Sequence, residues 1–81
     1  MGGKYQRLGK HLANAVVDEL RLSFSEVALR VGFELPPSAH EHRPWWANDS
    51  SHVQARDGWL NVGWKINKVD MRNEIVIFIR N

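Results

Sequence analysis

The hydrophobic positions change period along the chain. Tyr5, Leu8, Leu12, Ala15, Val16 and Leu20 follow the three-and-four spacing of an amphipathic helix, which predicts a first helix over about 4–19, with 1–3 frayed ahead of it. Gly9 weakens this helix by up to ~1 kcal/mol relative to alanine, but the stripe continues past it. Lys4, Arg7, Lys10 and His11 fall on one side of its first half, as in a solvated helix face. Leu20-Arg21-Leu22 alternates too briefly for more than a short bridging strand. A strong helix start follows. Ser23 and Glu26 have capping-box spacing, Leu22 and Val27 stand where a hydrophobic staple requires them, and Gly32 suits a left-handed C-terminal cap. The second helix is expected over about 24–31.

Pro36 and Pro37 break the pattern and push the residues before them into extended conformations. Proline is nevertheless accepted at a first helical position, so one helical turn is expected over 37–42 before Pro44 stops it. Asn48-Asp49-Ser50-Ser51 is a run of capping residues, and Ser51 with Gln54 repeats the capping-box spacing. A third main helix is predicted from about Ser51 to Val62. Val53, Ala55, Trp59, Leu60 and Val62 supply its contacts, Gly58 allows a close approach and Gly63 ends it. Beyond it, 64–70 and 74–80 are rich in β-branched and aromatic residues, with Met71-Arg72-Asn73 as a hairpin loop. Ile75 to Ile79 is apolar on both faces, which calls for cover on both sides or a partner.

Composition narrows the picture. A chain of 81 residues reads as a single domain over 1–81 and hides only a little over ~60% of its unfolded surface, so its large side chains carry much of the core. There is no cysteine, hence no disulfide or thiolate metal site. With neither an apolar leader nor a run of the ~20 apolar residues a membrane span needs, the expected setting is cytoplasmic. Net charge is +2, compatible with nucleic acid without requiring it, and any basic patch must be assembled by folding.

The densest chemistry lies from His40 to Gln54, which holds three of the four histidines and two of the four tryptophans. Trp45 and Trp46 are adjacent and cannot share one face of an element, so one anchors the core and the other meets a cap, groove or ligand. The element order predicts an α+β domain of winged helix-turn-helix type: three helices followed by a two-stranded antiparallel hairpin wing, with a short third strand near 20–23. In such a domain the third helix enters a DNA major groove and the wing lies on the backbone.

Several segments resemble a small uncharacterised bacterial and phage domain family. They are Leu22-Ser-Phe-Ser-Glu26, Leu35-Pro-Pro-Ser-Ala39, His42-Arg-Pro-Trp-Trp-Ala-Asn48, His52-Val-Gln-Ala55 and Gly63-Trp64. The resemblance spans nearly the whole chain and implies one complete domain. It assigns no catalytic residue.

Three functional expectations follow. The first is a regulatory, phage or defence module that binds nucleic acid, most directly duplex DNA. Gln54, Arg56 and His52 would approach base edges, while Arg43, Ser51, Lys65 and Lys68 hold phosphates. Trp45 or Trp46, of which Trp46 is the candidate site residue, with Arg43 and Asn48 beside it, would form a pocket that stacks a base in a single-strand variant of this reading, the amide reading the base edge. The second is a protein-interaction or inhibitor protein acting through the apolar strand Glu74–Arg80, which also suits a homodimer. The third is a metal-dependent nuclease using His40, His42, Asp49 and His52, although their spacing gives it little support. No cofactor loop, small-molecule site or convincing nucleophile is visible, since the serines are accounted for by helix starts and turns.

Overall fold

The computed structural model describes residues 3–81. The fraying expected at 1–2 lies outside that range, whereas the Gly3 carbonyl already accepts the Gln6 N–H at 3.1 Å. The described chain forms α1 (Gln6–Ala13), β1 (Glu19–Ser23), α2 (Phe24–Val31), α3 (Pro37–Glu41), a 3-10 turn at Arg43–Trp46, α4 (Val53–Gly58), a second 3-10 turn at Leu60–Val62, β2 (Trp64–Asp70) and β3 (Ile75–Arg80). The three strands make one antiparallel sheet in the order β1-β3-β2. It is an α+β fold with all four α-helices ahead of the hairpin.

α2 follows its local signals closely. The Ser23 hydroxyl accepts the Glu26 N–H at 3.0 Å and the Glu26 carboxylate accepts the Ser23 N–H at 2.9 Å, completing the capping box. Leu22 and Val27 are buried as a staple demands, and Gly32 caps the helix at φ 87°. Proline opens α3 at its first turn.

Two helices differ from expectation, and each for a long-range reason. α1 ends at Ala13 instead of near 19, and Val16 is 99% exposed. Arg80 holds the segment out of the helix: its guanidinium donates to the Ala15 and Val17 carbonyls at 2.6 and 3.1 Å and to Asp18 at 3.0 Å. The third main helix begins at Val53 and breaks at Trp59, so α4 is six residues long. No capping box forms there. Ser51 instead turns onto Asp49, donating from both its N–H (2.9 Å) and its hydroxyl (2.7 Å), and His52 takes the N-cap position.

The core is an aromatic column. Phe24 stacks on Trp46 (4.6 Å), Trp46 on Trp59 (6.3 Å), and Trp59 meets Phe78 edge-on (5.6 Å), linking α2, the first 3-10 turn, the end of α4 and the sheet. Gly9, expected only to weaken α1, is what lets it approach α4. A Cβ there would stand 2.8 Å from the Asp57 carbonyl oxygen, whereas one at Gly58 would meet Leu8 at 3.5 Å, an ordinary contact.

The expected strand 74–80 proves to be central. β3 is paired along both edges, with β1 and with β2, so it cannot recruit another chain by edge pairing. This corrects both the edge-strand inhibitor and the Glu74–Arg80 edge dimer. One face of β3 buries Val76 and Phe78 and the other leaves Ile75, Ile77 and Ile79 half-buried.

Candidate nucleic-acid interface

The segment His40–Gln54 uses most of its polar groups inside the domain. Trp46 is 2% exposed and its indole N–H donates to the Ala39 carbonyl at 2.8 Å, so it is the core tryptophan and offers no stacking surface. Trp45 is the half-buried member of the pair, edge-on to Trp46 and to Tyr5. Asn48 lies at the surface, yet both ends of its amide are taken. Its carbonyl oxygen accepts the Trp59 indole N–H and the Ile66 N–H, each at 2.9 Å, while its NH2 donates to the Ile66 carbonyl at 2.9 Å. Gln54 is 8% exposed and donates to the Trp45 carbonyl at 2.9 Å, which removes it from any base-reading role.

Arg43 is exposed and donates to the Val69 carbonyl at 2.6 Å. Together Arg43 and Asn48 occupy the free edge of β2, where side chains stand in for a fourth strand. Ser51 suits a phosphate poorly, because its hydroxyl is bound to the Asp49 carboxylate. The two Ser51 bonds, side chain first, hold that carboxyl below its usual range and keep it anionic. His52 is half-buried, with Nδ1 enclosed and without a hydrogen-bond partner among the described residues. Arg56 is exposed beside Asp57, at 3.3 Å.

Nor do the histidines gather. His40 is paired through Nδ1 with Glu74 at 2.7 Å, fastening α3 to the hairpin turn, and Asp49 is engaged by Ser51. Among the described residues, no three His, Asp or Glu side chains meet at a point that would hold a metal ion. Also among them, no helix is long and apolar enough to cross a membrane.

Among the described residues, a group of cations without a carboxylate partner lies on the sheet. β2 carries a bulge between Ile66 and Lys68, after which the register with β3 shifts by one. Strict alternation would send Lys65 and Lys68 to opposite faces. With the extra residue, Lys65 stands opposite Ile79 and Lys68 opposite Ile77, both on the outward face. Arg21 of β1 is opposite Ile77 from the other side, giving a row Arg21–Ile77–Lys68 across the sheet. Lys68 borders two open depressions, one of about 400 Å³ shared with Arg21 and one of about 500 Å³ shared with Arg43. A basic strip thus runs from β1 over the hairpin to the first 3-10 turn.

Two carboxylates flank the strip. Glu19 lies opposite Ile79, and Asp70 opposite Ile75 at the hairpin end. Asp70 is tied to the turn, accepting from the Asn73 amide at 2.9 Å and the Asn73 N–H at 3.0 Å, which lowers its pKa. Arg72 is exposed in the same turn. Sequence reasoning missed Arg21 as a surface residue of the sheet. The signal was present, since Leu20 and Leu22 flank it and alternation puts it on the other face.

No curated protein and no solved structure matches the chain. A family model described as Domain of unknown function (DUF7662) matches residues 5–81. With the model spanning almost the whole described domain, the chain belongs to that uncharacterised family.

Proposed function

We propose that this domain is a nucleic-acid-binding module of winged-helix type, with duplex DNA as its target, in which the hairpin supplies the main binding face. The observation that carries this reading is the bulge in β2, which turns Lys68 onto the face that already holds Arg21 and Lys65. The order of helices and strands, with β3 between β1 and β2, suits a winged helix. α4 contributes less than a recognition helix normally does. It rises only about 9 Å, and Arg56 is its one exposed charged side chain. Binding therefore rests on phosphates more than on base edges, and sequence preference is weak.

Titrating a fluorescein-labelled random duplex at several salt concentrations tests this. Contacts from Arg21, Lys65 and Lys68 give a slope of log affinity against log salt of roughly −3, and Lys68→Ala flattens it by about one. Salt-independent binding, or none at low salt, contradicts the proposal. A second reading has its own observation: Ile75, Ile77 and Ile79 form an apolar ridge on that same face. A protein partner seated on the ridge would bind with little salt dependence.

A further inference from the structure

The two edges of the sheet are finished differently. On β2 the edge is closed from within the chain, because the Asn48 amide bonds both backbone groups of Ile66 and Arg43 bonds the Val69 carbonyl. β1 forms the other edge. The Arg80 N–H donates to the Asp18 carbonyl and the Phe24 N–H to the Glu74 carbonyl, each at 2.8 Å, which fixes Leu20 and Leu22 between them as the residues hydrogen-bonded to β3. The backbone groups of Glu19, Arg21 and Ser23 therefore point away from the sheet. Ser23 turns its N–H to the Glu26 carboxylate at 2.9 Å, but among the described residues nothing bonds the N–H or the carbonyl of Glu19 or Arg21 on that side. These groups stand in a row, roughly 7 Å apart, as a template for one more strand.

We infer that β1 is a homodimer edge, on which β1 of a second copy pairs antiparallel about a two-fold axis at Leu20. Read in the opposite direction, Glu19-Leu20-Arg21 is its own complement. An axis at Leu20 sets Glu19 of each copy directly opposite Arg21 of the other, whereas an axis at Glu19 or at Arg21 sets like charges face to face. The same opposed residues exchange their N–H and carbonyl groups, so every free group of Glu19 and Arg21 finds a partner. Both side chains are exposed, and neither forms a salt bridge within its own chain among the described residues.

Apolar contacts close the other face of the seam. Leu20 is half-buried and falls on the axis against Leu20 of the second copy, a position without hydrogen bonds where side chains come closest. Val17, 45% exposed just ahead of the strand, comes level with Ser23 of the second copy. The axis stands perpendicular to the sheet, so the three strands of each copy continue into one another and the Lys65 and Lys68 of both lie on one side. Association needs no nucleic acid and stands whether or not the basic strip binds one.

Sedimentation velocity on the full chain without nucleic acid, up to about 1 mM because so short a seam is smaller than a standard interface, is the test. The expected result is a concentration-dependent dimer in which hydrogen exchange of the Glu19 and Arg21 amides slows about tenfold as the dimer forms. Glu19→Pro removes an outward N–H that the fold itself does not use and abolishes the dimer, with the near-ultraviolet tryptophan signal native. Glu19→Arg sets arginine against arginine and weakens association about tenfold, and the exchange Glu19→Arg with Arg21→Glu restores it. A chain that stays monomeric over this range overturns the inference. So does a dimer whose Glu19 and Arg21 amides exchange as they do in dilute protein, or one that Glu19→Pro leaves intact. Should Glu19→Pro lose the native tryptophan signal, the charge exchange decides, and its failure to restore association overturns the inference.

Discussion

The segment Arg43–Asn48 and the outward face of the β2–β3 hairpin both carry polar groups among apolar ones, but they use them in opposite ways. In the first, Arg43 binds Val69, Trp46 binds Ala39, and Asn48 binds both Ile66 and Trp59. On the hairpin, Lys65 and Lys68 project from an apolar ridge and have no acidic partner within salt-bridge distance among the described residues. The unusual sequence pattern here marks side chains that are occupied by hydrogen bonds inside the domain. The residues free to meet another molecule are common lysines and arginines that only the register of the sheet brings together.

That contrast can be broken most forcefully at Asn48. Asn48→Ala leaves the Trp59 indole N–H and both Ile66 backbone groups without their partner and should cost about 3 kcal/mol, read as a lowered urea midpoint. If Asn48 were instead a ligand-binding residue, stability would hold and affinity alone would fall.

A smaller effect is expected in the scaffold behind both regions. Gly9→Ala forces a methyl against the Asp57 carbonyl and should cost about 2 kcal/mol, whereas Gly58→Ala should cost well under that. Equal costs at the two sites would show that α1 and α4 do not pack as described.

Acid exposes a third difference. Glu26, Asp49 and Asp70 each have a pKa lowered by hydrogen bonds to their own turn: Glu26 to Ser23, Asp49 to Ser51 and Asp70 to Asn73. Their stabilisation is complete above the unfolded carboxylate range near about 4 and is lost as pH falls through the lower folded values. Urea midpoints should therefore fall as pH drops below about 4, with the caps of α2 and of the two turns loosening. A midpoint that rises in acid would contradict the assignments.

Much of the fold was legible where the determining contacts are local. The Ser23–Glu26 cap, the Leu22–Val27 staple and Gly32 defined α2 from sequence alone, and the bridging strand near 20–23 is present as β1. Local signals failed where a distant residue intervenes. The stripe through Ala15 and Val16 reads as helix until Arg80 claims the carbonyls of Ala15 and Val17. The Ser51 and Gln54 pair has capping-box spacing, but Asp49 takes Ser51 and the Trp45 carbonyl takes Gln54.

The candidate interface was harder to read still. Lys65 and Lys68 were named from their charge, but their common face depends on a one-residue bulge that alternation does not announce. Arg21 joins them only through the pairing of β1 with β3, across more than fifty intervening residues. Trp46 and Gln54 were misplaced for the converse reason, since polar and aromatic residues at such density also describe a hydrogen-bonded core.

The most direct test of this division is a map of amide chemical shifts as a random duplex is added to the isotope-labelled protein at low salt. The account predicts that the perturbed amides cluster at Arg21, Lys65, Lys68, Arg72 and Ile77, with Trp46, Asn48 and Gln54 unmoved. Perturbations centred on 43–56, with the hairpin unaffected, would contradict it and return the binding face to α4 and the tryptophan pair.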